Sequence, residues 1–261
     1  MRLSLFLLFV LLTIASCKNQ ADQKMEITSE PEVKRIKNYP ETLTKVFDAH
    51  GSLEKWKDMK TLSYEIVRES GNEKQWVDLI NRNERIEAST FKTGYDGTNY
   101  WLEADTTYKG NPKFYKNLMF YFYAMPFVVA DDGIIYSETE ALQFEDKSYP
   151  GVKISYDAGV GISPEDEYFI HYNPDTYQME WLGYTVTFFT GEKSKKVKWI
   201  RYNDWGAFDG LVLPNSMTWY QMEEDKITEP RTPTQFTNIK ISKDKRDQQF
   251  FAKTENASIV E

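Results

Sequence analysis

After residue 60 the chain consists mainly of short segments in which apolar and polar residues alternate. Leu62, Tyr64 and Ile66 are separated by single polar residues, a period of two that is typical of β-strands. Asp96-Gly97 lies between aromatic flanks and predicts a tight hairpin turn. Further strands are predicted at residues 76–80, 85–89, 152–156, 168–172, 178–189, 197–202, 211–222 and 234–241. We therefore predict roughly ten antiparallel strands in a sandwich or barrel, without the strand–helix alternation of nucleotide-binding parallel sheets.

The residues before these strands have helical spacing. Apolar residues recur at intervals of three and four over residues 43–47, which predicts a short amphipathic helix. Gly51 is expected to end this helix. Ser52 is a candidate N-cap for a second short helix over residues 53–59, with Trp56 as its buried anchor.

A third helical segment interrupts the strands. Asn111-Pro112 has the form of an N-cap followed by a first helical turn. Nearly every residue from 114 to 129 is apolar or aromatic, and Pro126 is expected to kink or end the helix. Because a surface helix carries a polar face, we expect this segment to be covered on both sides, or to cover an apolar surface itself.

The N-terminus predicts a cleaved signal. Arg2 precedes an apolar run over residues 3–14, which is short for a bilayer span and typical of a secretory signal. Ala15-Ser16 and then Cys17, the one cysteine of the chain, follow this run. The order resembles the lipobox of bacterial lipoproteins, in which signal peptidase II cuts before the cysteine and the thiol receives a lipid. The alternative is an ordinary secreted protein with a spare cysteine in its signal.

This interpretation predicts three parts of the chain and a cellular location. They are a signal peptide over residues 1–16, a palmitate-bearing Cys17 with a polar tether over residues 17–36, and a single β domain over residues 37–261. By the lipoprotein sorting rules of Gram-negative bacteria, Lys18 indicates the outer membrane. Because the remaining chain has no other long apolar run, we expect attachment through lipid only, with the domain on the periplasmic face.

The composition excludes several classes of function. The formal net charge is −8, whereas non-specific nucleic-acid binding needs a basic surface. A single cysteine outside the folded domain permits neither an internal disulfide nor a cysteine–histidine catalytic pair. The two histidines, His50 and His171, are expected at a helix end and within a strand. We find no nucleophile motif, phosphate loop or calcium loop, so we expect no cofactor, no metal and no enzymatic activity.

Several local sequences together resemble a known superfamily. The first helix ends in Ala49-His50-Gly51, Met125-Pro126-Phe127 follows the aromatic segment, and Asp204-Trp205 precedes Gly210-Leu211-Val212-Leu213-Pro214. Over residues 39–245 the chain resembles the LolA/LolB-like superfamily of lipoprotein carriers and receptors, and within it an uncharacterised family of outer-membrane lipoproteins. The resemblance implies a mainly β fold: a half-open antiparallel β-barrel with a few helices packed in or over its concave face, and an apolar cavity that takes acyl chains.

The strands themselves also favour a cavity. Trp181 alternates with Leu182 and Tyr184, so both faces of that strand are apolar, as expected where one face packs and the other lines a pocket. The aromatic residues proposed to line it are Trp76, Trp101, Phe114, Phe120, Phe122, Phe127, Trp181, Phe188, Trp199 and Trp219. We expect a monomer that binds a lipid or the acyl chain of a lipidated protein.

Three other interpretations remain open at this point. An ordinary filled barrel would use as many aromatic residues and would favour a ligand-free scaffold or sensor of the cell envelope. Tyr95, Asp96, Asn99 and Trp101 form the mixture of rings and hydrogen-bonding groups found in carbohydrate-binding sites. A pair of carboxylates brought together by the fold would allow glycoside hydrolysis.

Overall fold

The computed structural model describes residues 38–157 and 163–260. The predicted signal peptide, the predicted lipidation site Cys17 and the predicted tether lie outside the described residues. β-Strands are the main regular secondary structure of the described chain. The strands are β1 (Thr61–Ile66), β2 (Glu73–Asp78), β3 (Glu84–Glu87), β4 (Phe91–Tyr95), β5 (Tyr100–Ala104), β6 (Ile134–Glu138), β7 (Leu142–Phe144), β8 (Lys147–Tyr149), β9 (Gly151–Tyr156), β10 (Tyr168–Tyr172), β11 (Met179–Tyr184), β12 (Lys198–Arg201), β13 (Trp205–Phe208), β14 (Leu211–Pro214), β15 (Ser216–Glu223), β16 (Lys226–Pro230), β17 (Thr234–Ser242) and β18 (Ser258–Val260).

One large antiparallel sheet holds fourteen of these strands. Its order is β18-β5-β4-β3-β2-β1-β17-β15-β12-β11-β10-β9-β6, and β16 pairs with β15 beside this path. The outermost strands β18 and β6 do not pair with each other, so the sheet is open. The strand pairs β7–β8 and β13–β14 form two separate hairpins. The predicted mainly β, half-open antiparallel architecture is confirmed.

The helices are short, and side chains cap the starts of two of them. They are α1 (Glu41–Ala49), α2 (Leu53–Asp58), α3 (Pro112–Tyr115) and α4 (Leu118–Tyr123), with 3-10 turns at Phe127–Ala130 and Gln248–Phe251. The Ser52 side chain accepts a hydrogen bond from the backbone N–H of Lys55, as predicted for an N-cap. Gly51, with φ of 101°, leaves no room for a Cβ because the carbonyl of Gly210 lies 2.3 Å from its position. Helix α1 therefore meets the β13–β14 hairpin at a position that only glycine fits.

Helix α4 lies inside the curve of the sheet. The Tyr123 ring stacks on Tyr64 of β1 at 4.3 Å and meets Phe236 of β17 at 4.7 Å. On the other side of the helix, the Phe122 ring lies 4.8 Å from Tyr184 of β11. The sheet thus wraps around one helix, and we call the face toward α4 the inner face and the opposite one the outer face.

The outer face is covered at two places. Across β2, β3, β4 and β5 one row contains Trp76, Arg85, Gly94 and Trp101. A Cβ on Gly94 would lie 2.5 Å from the Trp101 ring, so glycine lets this indole lie flat against the strand. The C-terminal 3-10 turn closes the row, because the Trp101 indole N–H donates to the carbonyl of Phe251 at 2.9 Å.

The second covered place lies over β11. Phe144 of the β7–β8 hairpin meets the Trp181 ring at 4.7 Å, and Tyr149 lies 6.5 Å from it. Trp181 has no exposed surface. Both faces of the central strands are therefore buried, which explains why their sequences are apolar on both sides.

Several predicted elements differ from the structure. The helix predicted from residue 113 is interrupted after α3, because Asn117 adopts a left-handed backbone with φ of 57° and donates its backbone N–H to buried Glu84. The strand predicted at residues 178–189 ends at Tyr184, and the one at 211–222 is divided at Asn215. Strands β6, β7, β8, β16 and β18 were not predicted, because they are short and have few buried residues.

His50 connects three parts of the fold. Its Nε2 accepts a hydrogen bond from the backbone N–H of Met179 at 3.0 Å, so Nδ1 carries the proton and donates to the carbonyl of Val212 at 3.2 Å. Burial lowers the pKa of His50 to about 4, because a charged imidazole loses its hydration there. His50 thus lies at the end of α1, as expected, and is a neutral residue that ties α1 to β11 and β14.

We predict that acid destabilises the protein through His50. The folded-state pKa lies below the ordinary value of 6.5, so between these two values the unfolded chain binds the extra proton and stability falls as pH falls. In urea titrations, the unfolding free energy of the wild type should fall by about 2 kcal/mol relative to that of His50→Gln between pH 6.5 and 5. His171 is present in both proteins and cancels from the difference. A difference in unfolding free energy that stays constant with pH would contradict this account.

Candidate functional site

A cavity of about 720 Å³ lies between the α3–α4 segment and the inner face of β9, β10 and β11. This volume is within the range of pockets that hold small ligands. Aromatic and aliphatic side chains form most of its walls, and charged groups lie among them. The lining residues are Lys113, Phe114, Lys116, Asn117, Leu118, Tyr121, Phe122, Val128, Asp131, Asp132, Tyr156, Ser163, Asp166, Tyr168, Tyr184, Thr185, Val186, Phe188, Phe189 and Lys198.

The sheet side of the cavity is a wall of tyrosines. Tyr168 and Tyr184 are directly paired across β10 and β11, with stacked rings 6.5 Å apart. Tyr156 of β9 meets Tyr168 edge-on at 6.0 Å. Burial raises the pKa of all three phenols, so they are neutral at physiological pH. They present ring surface with few polar atoms, as apolar chains require.

Helix α4 and the loop after β11 supply the opposite side and one end. Phe122 projects from α4 toward Tyr184, and Trp219 of β15 lies behind both, 5.8 Å from the Phe122 ring. The Trp219 indole N–H donates to the hydroxyl of Tyr184 at 3.0 Å, which fixes the tyrosine ring. At the end of the cavity, the Phe114 ring lies 4.9 Å from Phe188 and 4.9 Å from Phe189.

The acidic groups of the lining are engaged by neighbouring residues. Arg82 donates to both carboxylate oxygens of Asp131, at 2.8 and 2.9 Å. Asp166 accepts from the backbone and hydroxyl of Thr187, and burial raises its pKa. Lys116 lies 4.1 Å over the Tyr95 ring, and burial lowers its pKa. The charged side chains are thus held at fixed positions around an apolar interior.

A buried polar cluster lies beneath Asn117. Glu84 has 1% exposed surface and accepts the backbone N–H of Asn117 at 2.8 Å. Its second oxygen, Oε1, has no hydrogen-bond partner among the described residues. Nearby on the same inner face, Tyr115 donates to Glu73 at 2.7 Å. Burial raises the pKa of Glu84 to about 8, so this side chain is protonated at neutral pH.

Neither histidine lines the cavity. His50 is committed to the core, and His171 lies on the outer face, where Nδ1 is 2.9 Å from the carbonyl of Tyr149. Within residues 38–157 and 163–260, no group of three histidine, cysteine, aspartate or glutamate side chains is placed to hold a metal ion. The arrangement of the cavity suits a ligand held by apolar contact.

Three of the ten aromatic residues predicted to line a cavity are brought together there: Phe114, Phe122 and Phe188. Trp219 lies in the layer behind them. Phe120 and Phe127 are fully packed in the core, where Arg82 lies 5.0 Å over the Phe120 ring and Phe127 stacks on Trp56 at 4.8 Å.

The other four predicted residues, Trp76, Trp101, Trp181 and Trp199, lie on the outer face and do not reach the cavity. The period of two explains this separation, because Trp181 points away from its neighbours Leu182 and Tyr184. Trp199 is placed in the same way, opposite Gly183. Trp101 has no exposed surface, so it offers no ring for the stacking of a sugar.

The tyrosine wall was absent from the predicted site, although the sequence contains a signal for it. Alternation places Tyr184 and Val186 on the same side as Phe188, and these three do line the cavity. Tyr168 joins them only through its pairing with Tyr184. Periodicity alone does not show which strands pair when they are distant in the sequence. The position of Tyr168 in the cavity wall could therefore not be predicted.

We predict that stability falls as pH rises through the neutral range because of Glu84. The folded chain keeps a proton on this carboxyl up to about pH 8, whereas an ordinary glutamate releases it near 4.5. As pH rises between these values, the unfolding free energy of Glu84→Gln should therefore increase relative to that of the wild type by about 1.4 kcal/mol per pH unit. Denaturant titrations measure this difference. Glu69→Gln, at an exposed position, is the control. Parallel pH profiles for wild type and Glu84→Gln would refute the prediction.

Within the described part of the chain, no helix has both the length and the apolarity needed to cross a membrane. No curated protein has a sequence that matches this chain. Among solved structures, a LolA superfamily protein from Nitrosomonas europaea is similar at 9% identity, with a TM-score of 0.47, and covers 81% of this chain and 96% of its own.

Two further structures are similar to the chain. A DUF1329 family protein from Desulfovibrio piger is 11% identical over 77% of this chain and 93% of its own, with a TM-score of 0.45. A domain from Vibrio parahaemolyticus, described as an outer membrane lipoprotein-sorting protein domain, is 7% identical over 74% of this chain and 88% of its own, with a TM-score of 0.35.

A family model matches the sequence directly. It covers residues 86–216, from β3 to the start of β15, and so includes the α3–α4 segment and the tyrosine wall. The resemblance to an uncharacterised family is confirmed by this match. The chain belongs to the family of unknown function DUF6503.

Proposed function

We propose that this protein binds the apolar chain of a lipid, or of a lipidated protein, in the cavity between α3–α4 and the tyrosine wall. The observation that carries the proposal is the volume of about 720 Å³ beside aromatic walls, inside a fold whose other inner surfaces are packed. An acyl chain would gain stability by leaving water for these walls. The resemblance in the sequence implies the same class of ligand.

The polar groups near the cavity support an amphipathic ligand. Lys113, Lys116 and Lys198 line the cavity along with its aromatic residues. A polar head could contact these cations while the chain occupies the apolar interior. We further propose that the protein binds the ligand and releases it chemically unchanged.

We predict that a bulky side chain in the cavity prevents binding. Val186 is half-buried in the lining, and Val186→Trp would place an indole in the space that an acyl chain needs. Titration of the full chain with a fluorescent fatty acid should show that this variant binds at least about tenfold more weakly than the wild type. Val67→Trp is the matched control, because Val67 is 45% exposed and lies outside the cavity.

The outcomes of this titration separate the candidate functions. Loss of binding in Val186→Trp alone supports the cavity. If both variants bind as well as the wild type, the binding site lies outside the cavity. If the wild type does not bind, the result favours a ligand-free scaffold. Recovery of a cleaved probe would replace binding with hydrolysis.

We also propose that the protein is an outer-membrane lipoprotein anchored through Cys17. The proposal rests on the position of the one cysteine directly after Ile14-Ala15-Ser16. Cells that express Cys17→Ser and are fed labelled palmitate should show no label in this protein, whereas the wild type should be labelled and recovered with outer membranes. Label on the Cys17→Ser protein would refute the anchor.

A further inference from the structure

The loop between β11 and β12, residues 185–197, carries the most exposed aromatic side chain of the described residues. Phe189 is 72% exposed, whereas the next most exposed large apolar residue, Ile80, is 51% exposed. An exposed phenylalanine ring would gain stability if a partner removed it from water. Its neighbours Phe188 and Phe114 lie within 5.1 Å and 4.9 Å of its ring centroid, so the three rings form one aromatic cluster.

Lysines surround this cluster. Lys193, Lys195, Lys196 and Lys198 follow Phe189 along the same loop and its exit, and all four are exposed. Lys113 and Lys116 lie close to Phe114 in the sequence and line the cavity with it. The sequence as a whole has 40 acidic and 32 basic residues, so this concentration of cations opposes the overall charge.

The acidic groups near the loop neutralise only part of this charge. Glu165 lies 3.7 Å from Lys193, and Asp166 is engaged by Thr187. Glu192 is the one acidic residue within the loop itself. Lys195, Lys196 and Lys198 have no carboxylate within salt-bridge distance among the described residues.

We infer that the β11–β12 loop docks on an anionic lipid surface, with Phe189 entering the interface and the lysines contacting lipid headgroups. Aromatic side chains favour the boundary between headgroups and acyl chains, and clustered lysines are attracted to anionic lipid. Phe188 and Phe189 also line the end of the cavity, so docking would bring that end to the membrane. The docking requires no ligand in the cavity and is independent of the proposed function.

The test uses the full chain with an environment-sensitive dye attached at Phe189→Cys. Ile259→Cys is the matched control: Ile259 is 45% exposed and lies on β18, at the edge of the sheet remote from β11. The unsubstituted chain, labelled in parallel, reports any dye on Cys17. We expect vesicles of equal parts phosphatidylcholine and phosphatidylglycerol to shift the emission to the blue at position 189 only, and phosphatidylcholine vesicles to give a much smaller shift.

The charge contribution is tested in the same assay. Lys195→Glu with Lys196→Glu should remove most of the blue shift, whereas the same charge change at Lys226 and Lys240, on β16 and β17, should leave it. An equal response at positions 189 and 259 would overturn the inference, as would a response that survives the loop charge reversal. A shift that depends on protein concentration without vesicles would assign the cluster to a second copy of the chain and would also overturn it.

Discussion

The structure depends on the burial of helix α4 within an open sheet. Tyr123 touches β1 and β17, while Phe122 touches β11 and β15, and the Tyr202 hydroxyl donates to the carbonyl of Phe122 at 2.8 Å. A closed barrel satisfies its edges by strand pairing, but here the two ends of the sheet remain apart. The aromatic side chains of one six-residue helix therefore connect β1 with β11, two strands that do not pair with each other. Without this helix, the inner face of both halves would be exposed to water, at a cost of about 25 cal/mol for each Å² of apolar surface.

The two faces of the sheet are completed in different ways, and this difference creates the site. On the outer face, the C-terminal turn and the β7–β8 hairpin cover the tryptophans of β2, β5 and β11. On the inner face, α4 packs against β1 and β17, and α1 and α2 pack around Phe127. The α3–α4 segment does not fill the space beside β9, β10 and β11. The interruption at Asn117, which buried Glu84 stabilises through its hydrogen bond, directs the chain so that Phe114 and Phe122 border this space instead of closing it. The polar cluster of Glu73, Glu84 and Tyr115 that shapes the cavity wall thus lies outside the cavity.

Much of the fold could be predicted from residue patterns, and the limits of that prediction are physical. Period-two alternation located most central strands, and the Ser52 and Asn111 caps located the starts of α2 and α3. Burial of His50 as a neutral residue was not predictable, because its partners Met179 and Val212 are more than 100 residues away along the chain. For the site, alternation correctly separated Trp181 from Tyr184, but it could not say which side would meet a helix and which a hairpin. Four tryptophans were therefore proposed for the cavity although they lie on the outer face. Strand β2 shows the opposite case, in which the polar residues Glu73 and Gln75 face inward because a hydrogen-bonded cluster satisfies them.

The distribution of the seven tryptophans permits a direct measurement of the central claim, that an apolar chain occupies the space between α4 and the tyrosine wall. Trp219 contacts two lining residues, whereas Trp76, Trp101, Trp181 and Trp199 lie on the outer face and Trp56 and Trp205 pack around α1 and the β13–β14 hairpin. A fatty acid brominated near the middle of its chain quenches the fluorescence of nearby tryptophans. Added to the full chain, it should quench the wild type, and the Trp219→Phe variant should lose most of that quenching while still binding the unbrominated acid. Quenching that is unchanged in Trp219→Phe would place the bound chain elsewhere and contradict the account.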